Sequence, residues 1–479
     1  MAPRIPLLLL STFAFSLSQY TPDWKHTERI SSTKTFYQCL QENYLMLMNG
    51  QISFTELVSG ILYLSLNIVM VTHSGQVRQV GAVDTGPHRD IIGELTTALR
   101  AKGLHAGVYF SLYEWYHPLY VGPQPELYVR EVMTPQLMEI IYNYKPDILW
   151  TDGEEKPSSF WNSTYFLAWL YNESPVREKT VVNDRWGSDC RGKHGGFYTE
   201  EYSSQTVADH KWEENSGIDI HSYGYNRNTP SDKYYTASYL IDLLTKTVAY
   251  GGNLCLKVGI NFDGKIPNIM AERLLQIGAW LDVNGEGIYN TTTWKVPDAQ
   301  VLVNLSHMVV FNNTDIVNGQ VTPGNNTSNI KYLGTFETDD ECLKSCESDY
   351  WCNSFTWVQS ADDASKHQCF GRTDLYWHPN SEEGHVSGHR DSITIRYTAS
   401  KLQSKTVYAI ITDWPTGSTL NLTSPIPSQS TAVSILGYEG SLKWSGTPDK
   451  AGMSIMWPIL TVSELPSMYQ WTIKLTNVS

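Results

Sequence analysis

The sharpest chemical signal is the run Leu149-Trp150-Thr151-Asp152-Gly153-Glu154. A short apolar stretch ends in a carboxylate and then a glycine. If that stretch is a strand of a βα sheet, Asp152 stands at the C-terminal end, where such folds build their pockets. An Asp there can also cap a following turn, so the run alone leaves both roles open. The second signal is Asn183-Asp184-Arg185-Trp186. The planar guanidinium of Arg185 can hold a negative oxygen or a ring hydroxyl, or pair structurally with Asp184. Two acidic stretches follow, Thr199-Glu200-Glu201-Tyr202 and Asp209-His210-Lys211-Trp212-Glu213-Glu214, each beside an aromatic. Such clusters are also what a solvated loop looks like. Two carboxyl groups on one barrel face would suit glycoside chemistry: one serves as nucleophile or base and the other as acid, with retention at a separation of about 5–5.5 Å. Burial against aromatics would help the acid keep its proton.

There is no HExxH, no Walker loop, no Gly-rich dinucleotide fingerprint after a strand and no GxSxG elbow. His105, His117, His194 and His221 stand singly, without metal-ligand spacing. The sequence implies no metal and no organic cofactor.

The elements that must hold these residues alternate strand and helix from Val83 onward. Ile92, Leu95 and Leu99 share a helical face, closed by Lys102-Gly103. His105–Ser111 reads as a strand. Leu137, Ile140, Ile141 and Tyr144 recur at helical spacing until Pro146, and Ile148–Trp150 is a short buried strand. A helix at Phe166–Leu170, a strand at Thr180–Val182, a helix at Tyr239–Val248 and a strand at Asn253–Ile260 follow. Met270, Leu274, Ile277 and Leu281 form a last helix, ended by Asn284-Gly285. Repeated βα units predict a parallel sheet with helices outside, and Tyr20–Gly285 has the length of a (β/α)8-type barrel. Beyond Asn290, Ile393–Tyr397, Val407–Ile411, Thr431–Leu436 and Trp471–Leu475 are short runs separated by Pro, Gly and Ser. That pattern predicts an antiparallel β-sandwich. Leu333–Asp391 interrupts it with Cys342, Cys346, Cys352 and Cys369, an expected helix at Thr338–Glu347 and an expected strand at Asn353–Val358.

At 479 residues the chain has room for several domains, by a prior of ~150 residues each. Its 41% hydrophobic and 18% charged residues exclude a mainly disordered or collagen-like chain. A net charge of -14 leaves no basic footprint for nucleic acid. The 12% aromatic content suits stacking on sugar rings and equally suits a large core. Met1-Ala2-Pro3-Arg4, the apolar Leu7–Leu10 and small residues up to Ser18 read as a secretory signal peptide over residues 1–18. Asn-x-Ser/Thr acceptors at Asn162, Asn172, Asn290, Asn304, Asn312, Asn325, Asn326, Asn421 and Asn477 agree with the secretory pathway, lysosomal or extracellular. The crowded cysteines agree with an oxidising compartment, and seven cysteines leave at least one thiol unpaired within the chain.

Residues 19–82 are aberrant. Leu57–Val71 is apolar but, at fifteen residues, shorter than the ~20 needed for a bilayer span, so no membrane span is expected. A soluble core helix or strand is the plainer reading. A third is that Phe36–Gly81 is DNA read in a shifted frame or mis-spliced. Reverse-translating Met48–Gly60 from each third base permits the string EWADLFHRAGVR, and Leu66–Gly81 permits one beginning KHRDGYTLWPSK.

Six motifs then carry a family resemblance: Tyr20-Thr21-Pro22-Asp23-Trp24, Asp84-Thr85-Gly86-Pro87, Glu114-Trp115-Tyr116-His117-Pro118-Leu119-Tyr120, Trp150-Thr151-Asp152-Gly153-Glu154, Val182-Asn183-Asp184-Arg185-Trp186-Gly187 and His210-Lys211-Trp212-Glu213. With Gly251-Gly252-Asn253-Leu254 and Trp471-Thr472-Ile473-Lys474-Leu475, the chain resembles the animal α-L-fucosidases (glycoside hydrolase family 29) over Val83 to about Lys295 and about Ile393 to Val478. The resemblance implies a retaining exo-glycosidase that releases terminal α-L-fucose from fucosylated glycans. It implies Asp152 as nucleophile and Glu201 as acid/base, with Glu200 and Glu213 as alternatives. It also implies Trp150, Arg185 and Tyr109 as substrate-binding residues. The family's early strand ending in His-Trp-Gly, its Glu-Trp pair and its Lys-His-His strand end are missing. An inactive, glycan-binding relative is therefore the alternative, and the chain as written is expected to be inactive or unstable.

The expected organisation is α/β: a barrel-like domain over 83–290, incomplete at its first strands, then a β-sandwich over 291–332 and 392–479. The insert over 333–391 resembles a PAN/apple-type module, a kind that binds protein or carbohydrate. Of its three disulfide pairings, Cys342–Cys369 with Cys346–Cys352 is the expected one. A homo-oligomer is left open.

Overall fold

The computed structural model describes residues 12–16, 61–65, 90–114, 117–201, 210–220, 224–259, 265–315, 330–348, 352, 354–358, 367–372, 380–415, 417–446 and 450–479. The chain divides into two units, Met1–Thr292 and Thr293–Ser479.

The first unit is built on an eight-stranded sheet: β1 (Thr12–Ser16), β2 (Ile61–Ser65), β3 (His105–Ser111), β4 (Ile148–Asp152), β5 (Val181–Val182), β6 (Tyr198–Glu201), β7 (Trp212–Gly217) and β8 (Gly252–Val258). Their spatial order is β5-β4-β3-β2-β1-β8-β7-β6. β2 to β5 are mutually parallel, as are β6 to β8. β1 runs antiparallel to both its neighbours, β2 and β8. Thus one strand comes from the segment read as a leader, and another from the segment read as frame-shifted. The rest of both segments lies outside the described residues.

Helices cover the outer face: α1 (Ile91–Ala101), α2 (Pro118–Val121), α3 (Pro125–Tyr128), α4 (Thr134–Tyr144), α5 (Ser158–Trp161), α6 (Ser163–Asn172), α7 (Ala237–Ala249) and α8 (Asn268–Asn284). Asp90 starts α1 by accepting from the Gly93 N–H at 2.9 Å, and Thr236 starts α7 by accepting from the Tyr239 N–H at 3.2 Å. A left-handed Lys145 (φ 47°) ends α4 just before Pro146. The strands alternate sides, as the two-residue period requires. Val108, Phe110, Leu149 and Val182 face the helices and join Leu137, Ile141, Phe166 and Leu170 in one core. The intervening residues Tyr109, Ile148, Trp150 and Val181 face inward, where they pack with Phe197 and Cys255.

The inward cluster means that the sheet is rolled. β4 and β7 are five places apart in the strand order. In a flat sheet, at ~4.8 Å per strand, they would stand about 24 Å apart. Instead the Trp150 indole on β4 donates to the Glu213 carboxylate on β7 at 3.0 Å. The expectation of a (β/α)8 barrel is met in the parallel βα units and corrected in two respects. One strand is antiparallel, and among the described residues no ladder joins β5 to β6. β5 has only two residues, too few for a second ladder. One backbone bond, Gly196 N–H to Val182 O at 2.9 Å, and the Asp184 side chain make that join instead. Of the acidic stretches, Thr199–Glu201 lies on β6 and Trp212–Glu214 on β7, so these residues do not form solvated loops. Trp212–Gly217 is buried throughout, because both faces of β7 are covered: Glu213 faces the inside of the roll, where it accepts from Trp150, and Glu214 faces α7, near Tyr239.

The second unit holds β9 (Thr291–Asp315), β10 (Ile330–Thr335), α9 (Asp339–Ser348), β11 (Ser354–Val358), β12 (Gln368–Arg372), β13 (Asn380–Ser400), β14 (Thr406–Ile411), β15 (Thr419–Leu422), β16 (Pro427–Ile435), β17 (Trp444–Ser445), β18 (Met453–Met456) and β19 (Trp471–Val478). One sheet runs β10-β12-β11-β13-β14-β19-β16 with β9 beside β13, and a second runs β15-β18-β17. Ile395, Val407, Ile473 and Leu475 of the first sheet meet Leu420, Leu422 and Ile455 of the second, which is sandwich packing. The Cys-rich segment is continuous with this sandwich through β13. Residues near His385–His389 pair with β11, and Ile395–Ala399 pair with β14. The expected disulfides form, Cys342–Cys369 and Cys346–Cys352, and make a small core with Phe355 and Trp357. Among the described residues Cys190 and Cys255 are free and buried.

Candidate active site

Asp152 ends β4 and stands at the C-terminal rim of the parallel strands. Its Oδ1 accepts from the Gly153 N–H at 2.9 Å and from Arg185 Nη1 at 3.1 Å; its Oδ2 accepts from the Tyr109 hydroxyl at 2.8 Å. Gly153 makes this turn possible. Its φ is +79°, and a Cβ there would lie 2.3 Å from the Tyr113 ring.

Arg185 is the hub. Its side chain is 5% exposed and meets Asp152 through Nη1 and Glu201 through Nη2. Its Nε donates to Thr199 Oγ1 at 2.9 Å, and that hydroxyl donates to Asp184 Oδ1 at 2.7 Å. Asp184 also accepts from the Thr199 N–H at 3.0 Å and the Gly192 N–H at 2.8 Å. The buried Asp184 therefore does not pair with Arg185 directly. It pins β6 beside the short β5 and orients the guanidinium through Thr199. Arg185 Cζ lies 4.9 Å from the Trp150 ring centroid, and Trp150 stacks with Tyr109 at 5.6 Å. Burial opposes the charge of Arg185, but Glu201, Asp152 and Glu154 outweigh it and hold its pKa above the ordinary value. Burial, helped by Asp152, pushes the Tyr109 hydroxyl up, so it serves as a proton-bearing donor.

Strand alternation separates the acid/base candidates. Phe197, Thr199 and Glu201 share the inner face, whereas Glu200 is exposed on the other. Glu213 is fully buried deeper in the roll, where it accepts from Trp150. Asp152 and Glu201 are each 36% exposed at the side chain, so a ligand can reach both. Sequence reasoning missed Glu154, Thr199, Arg191 and Lys257. Glu154 sits 3.8 Å from Arg185 and 3.4 Å from Arg191, and burial raises its pKa. Thr199 was findable, since it lies two residues before Glu201 on the same strand face.

Two carboxylates bridged by a guanidinium, beside stacked aromatics at the C-terminal rim of parallel strands, have the layout of a glycoside hydrolase site. A family model described as Alpha-L-fucosidase matches residues 72–286, and one described as Alpha-L-fucosidase C-terminal domain matches residues 390–476. The tissue alpha-L-fucosidase of Homo sapiens is 35% identical over 403 residues, 82% of this chain and 66% of that protein. The plasma alpha-L-fucosidase of Rattus norvegicus is 35% identical over 408 residues, 83% of this chain and 69% of that protein. The chain belongs to the alpha-L-fucosidase family. It spans just under two thirds, 66%, of the length of the human relative. In fold it is similar to the Thermotoga maritima alpha-fucosidase solved with fucose, at a TM-score of 0.51, 23% identity, and coverage of 82% of this chain and 70% of that one. It is likewise similar to alpha-L-fucosidase isoenzyme 1 from Paenibacillus thiaminolyticus, at a TM-score of 0.53, 19% identity, and coverage of 83% and 77%.

Proposed function

We propose that this chain is a retaining exo-glycosidase that hydrolyses terminal α-L-fucose from glycoproteins, glycolipids or oligosaccharides. Asp152 is the nucleophile and Glu201 the acid/base. The observation that carries this reading is that one guanidinium, Arg185, touches both carboxylates while both stay open to solvent. Retaining enzymes keep their carboxyl groups about 5–5.5 Å apart, a span on the scale of one guanidinium. Asp152 attacks the anomeric carbon as Glu201 gives its proton to the departing glycosidic oxygen, leaving a glycosyl ester on Asp152. The Glu201 carboxylate then takes a proton from water, which attacks the same carbon, frees the sugar and restores Asp152. Tyr109, Arg185 and the Gly153 N–H orient Asp152, and the Trp150–Tyr109 stack offers a flat wall to the apolar part of a deoxysugar.

The two disulfides and the acceptor asparagines support synthesis in the secretory pathway, for a lysosomal or extracellular destination. Among the described residues no helix is long and apolar enough to cross a membrane.

The test is turnover of an aryl α-L-fucoside, with the anomeric outcome followed by NMR. The parent gives retention; Asp152→Gly loses turnover and regains it with azide, yielding a fucosyl azide. The absence of the family's early motifs favours one second reading, an inactive glycan-binding relative. That reading is supported by a parent that binds L-fucose without turning over the fucoside.

A further inference from the structure

Lys257 lies two residues after Cys255 on β8, so strand alternation puts both side chains on the inner face of the roll. Cys255 packs there with Trp150 and Ile148, against Tyr109. The Lys257 ammonium stands 5.9 Å over the Tyr109 ring, whose hydroxyl holds Asp152 at 2.8 Å. It is also within electrostatic reach of both Asp152 and Glu201. Arg185 approaches the same two carboxylates from the end of β5, backed by the Trp150 ring. Two cations, one on β8 and one three residues beyond β5, each against one member of the Trp150–Tyr109 stack, thus face one pair of acids.

We propose that Lys257 is a further substrate-binding residue of this pocket, donating hydrogen bonds from its ammonium to hydroxyl oxygens of a bound neutral deoxysugar. The proposal rests on the fucosidase reading above. Its chemistry follows from the position. Burial lowers the pKa of Lys257 and so opposes its charge, an opposition that an apolar side chain filling the same space would not meet. A cation retained at the rim end of β8 suits a ligand rich in acceptors.

The test is calorimetric titration of L-fucose into the full chain, which reads binding without turnover. Lys257→Met is expected to weaken binding about 10-fold or more, the scale of a hydrogen bond from a charged donor. Lys257→Gln, which keeps an N–H donor, should recover part of the loss, and it carries the comparison if the Met variant does not fold. A parent that binds L-fucose while Lys257→Met binds it equally tightly overturns this inference and leaves the fucosidase reading standing. A parent that binds no L-fucose overturns both.

Discussion

The Trp150 indole N–H donates to the buried Glu213 carboxylate at 3.0 Å, from β4 to β7 across the inside of the rolled sheet. This bond ties the ring that backs Arg185 to β7 and gives Glu213 a partner inside the roll. Glu213→Gln keeps an acceptor and should change the melting temperature little. Glu213→Ala leaves the indole N–H unpaired in a buried site, which costs about 1–3 kcal/mol and should appear as a lower melting temperature. Neither variant should move the alkaline limb of a pH–rate profile.

Glu201 and Glu200 are neighbours in sequence on opposite faces of β6. Glu201→Gln is expected to lower kcat/KM for an unactivated fucoside about 10²–10⁴-fold, the usual worth of a positioned acid/base, and to remove the alkaline limb. Glu200→Gln should stay within about twofold of the parent, the range of an exposed change that touches no ligand. Equal losses in the two variants would contradict the assignment.

Burial holds the Glu154 carboxyl above its ordinary 4.5, outweighing the pull of Arg185 and Arg191. The fold therefore favours its protonated form. That contribution to stability is fully present below about pH 4.5 and is lost as pH rises through the raised folded value. Glu154→Gln mimics the protonated form at every pH. The melting temperature of the variant minus that of the parent should grow more positive from about pH 4 to about pH 7. A constant difference would count against the raised value.

The Cys342–Cys369 bridge closes a longer loop than Cys346–Cys352, at sequence separations of 27 and 6. In the chain-entropy account the longer loop gains more, about 3 kcal/mol or slightly above. Replacing Cys342 and Cys369 together by Ala should therefore loosen the segment around Phe355 and Trp357 more than replacing Cys346 and Cys352. Hydrogen exchange over β11 and β12 measures the difference.

Much of the fold is legible in residue order. Leu137, Ile140 and Ile141 mark α4, and their buried face is the one their spacing predicts. Asp152 is recognisable as the end of a short apolar strand. The polar run Trp212–Gly217 is not recognisable as a strand, because a hydropathy pattern assumes that polar side chains face water. Here both faces of the strand are covered, with Glu213 turned to the inside of the roll and Glu214 to α7. The missing β5–β6 ladder is equally hidden, since two-residue β5 leaves the join to Asp184 and Thr199.

Residue order by itself determined the βα alternation, the β-strand-rich C-terminal part, the cysteine cluster with its short menu of pairings, and the acids and the arginine fit for sugar chemistry. Periodicity carries that information because it records which side of one element is buried. Only the tertiary structure decided which distant faces meet. Rolling the sheet brings Trp150 to Glu213, sets Glu201 rather than Glu200 against Arg185, and turns Lys257 toward the ring that holds Asp152. The physical reason is that the curl of a sheet arises from the twist and packing of all its strands together, a property that no single stretch of sequence contains.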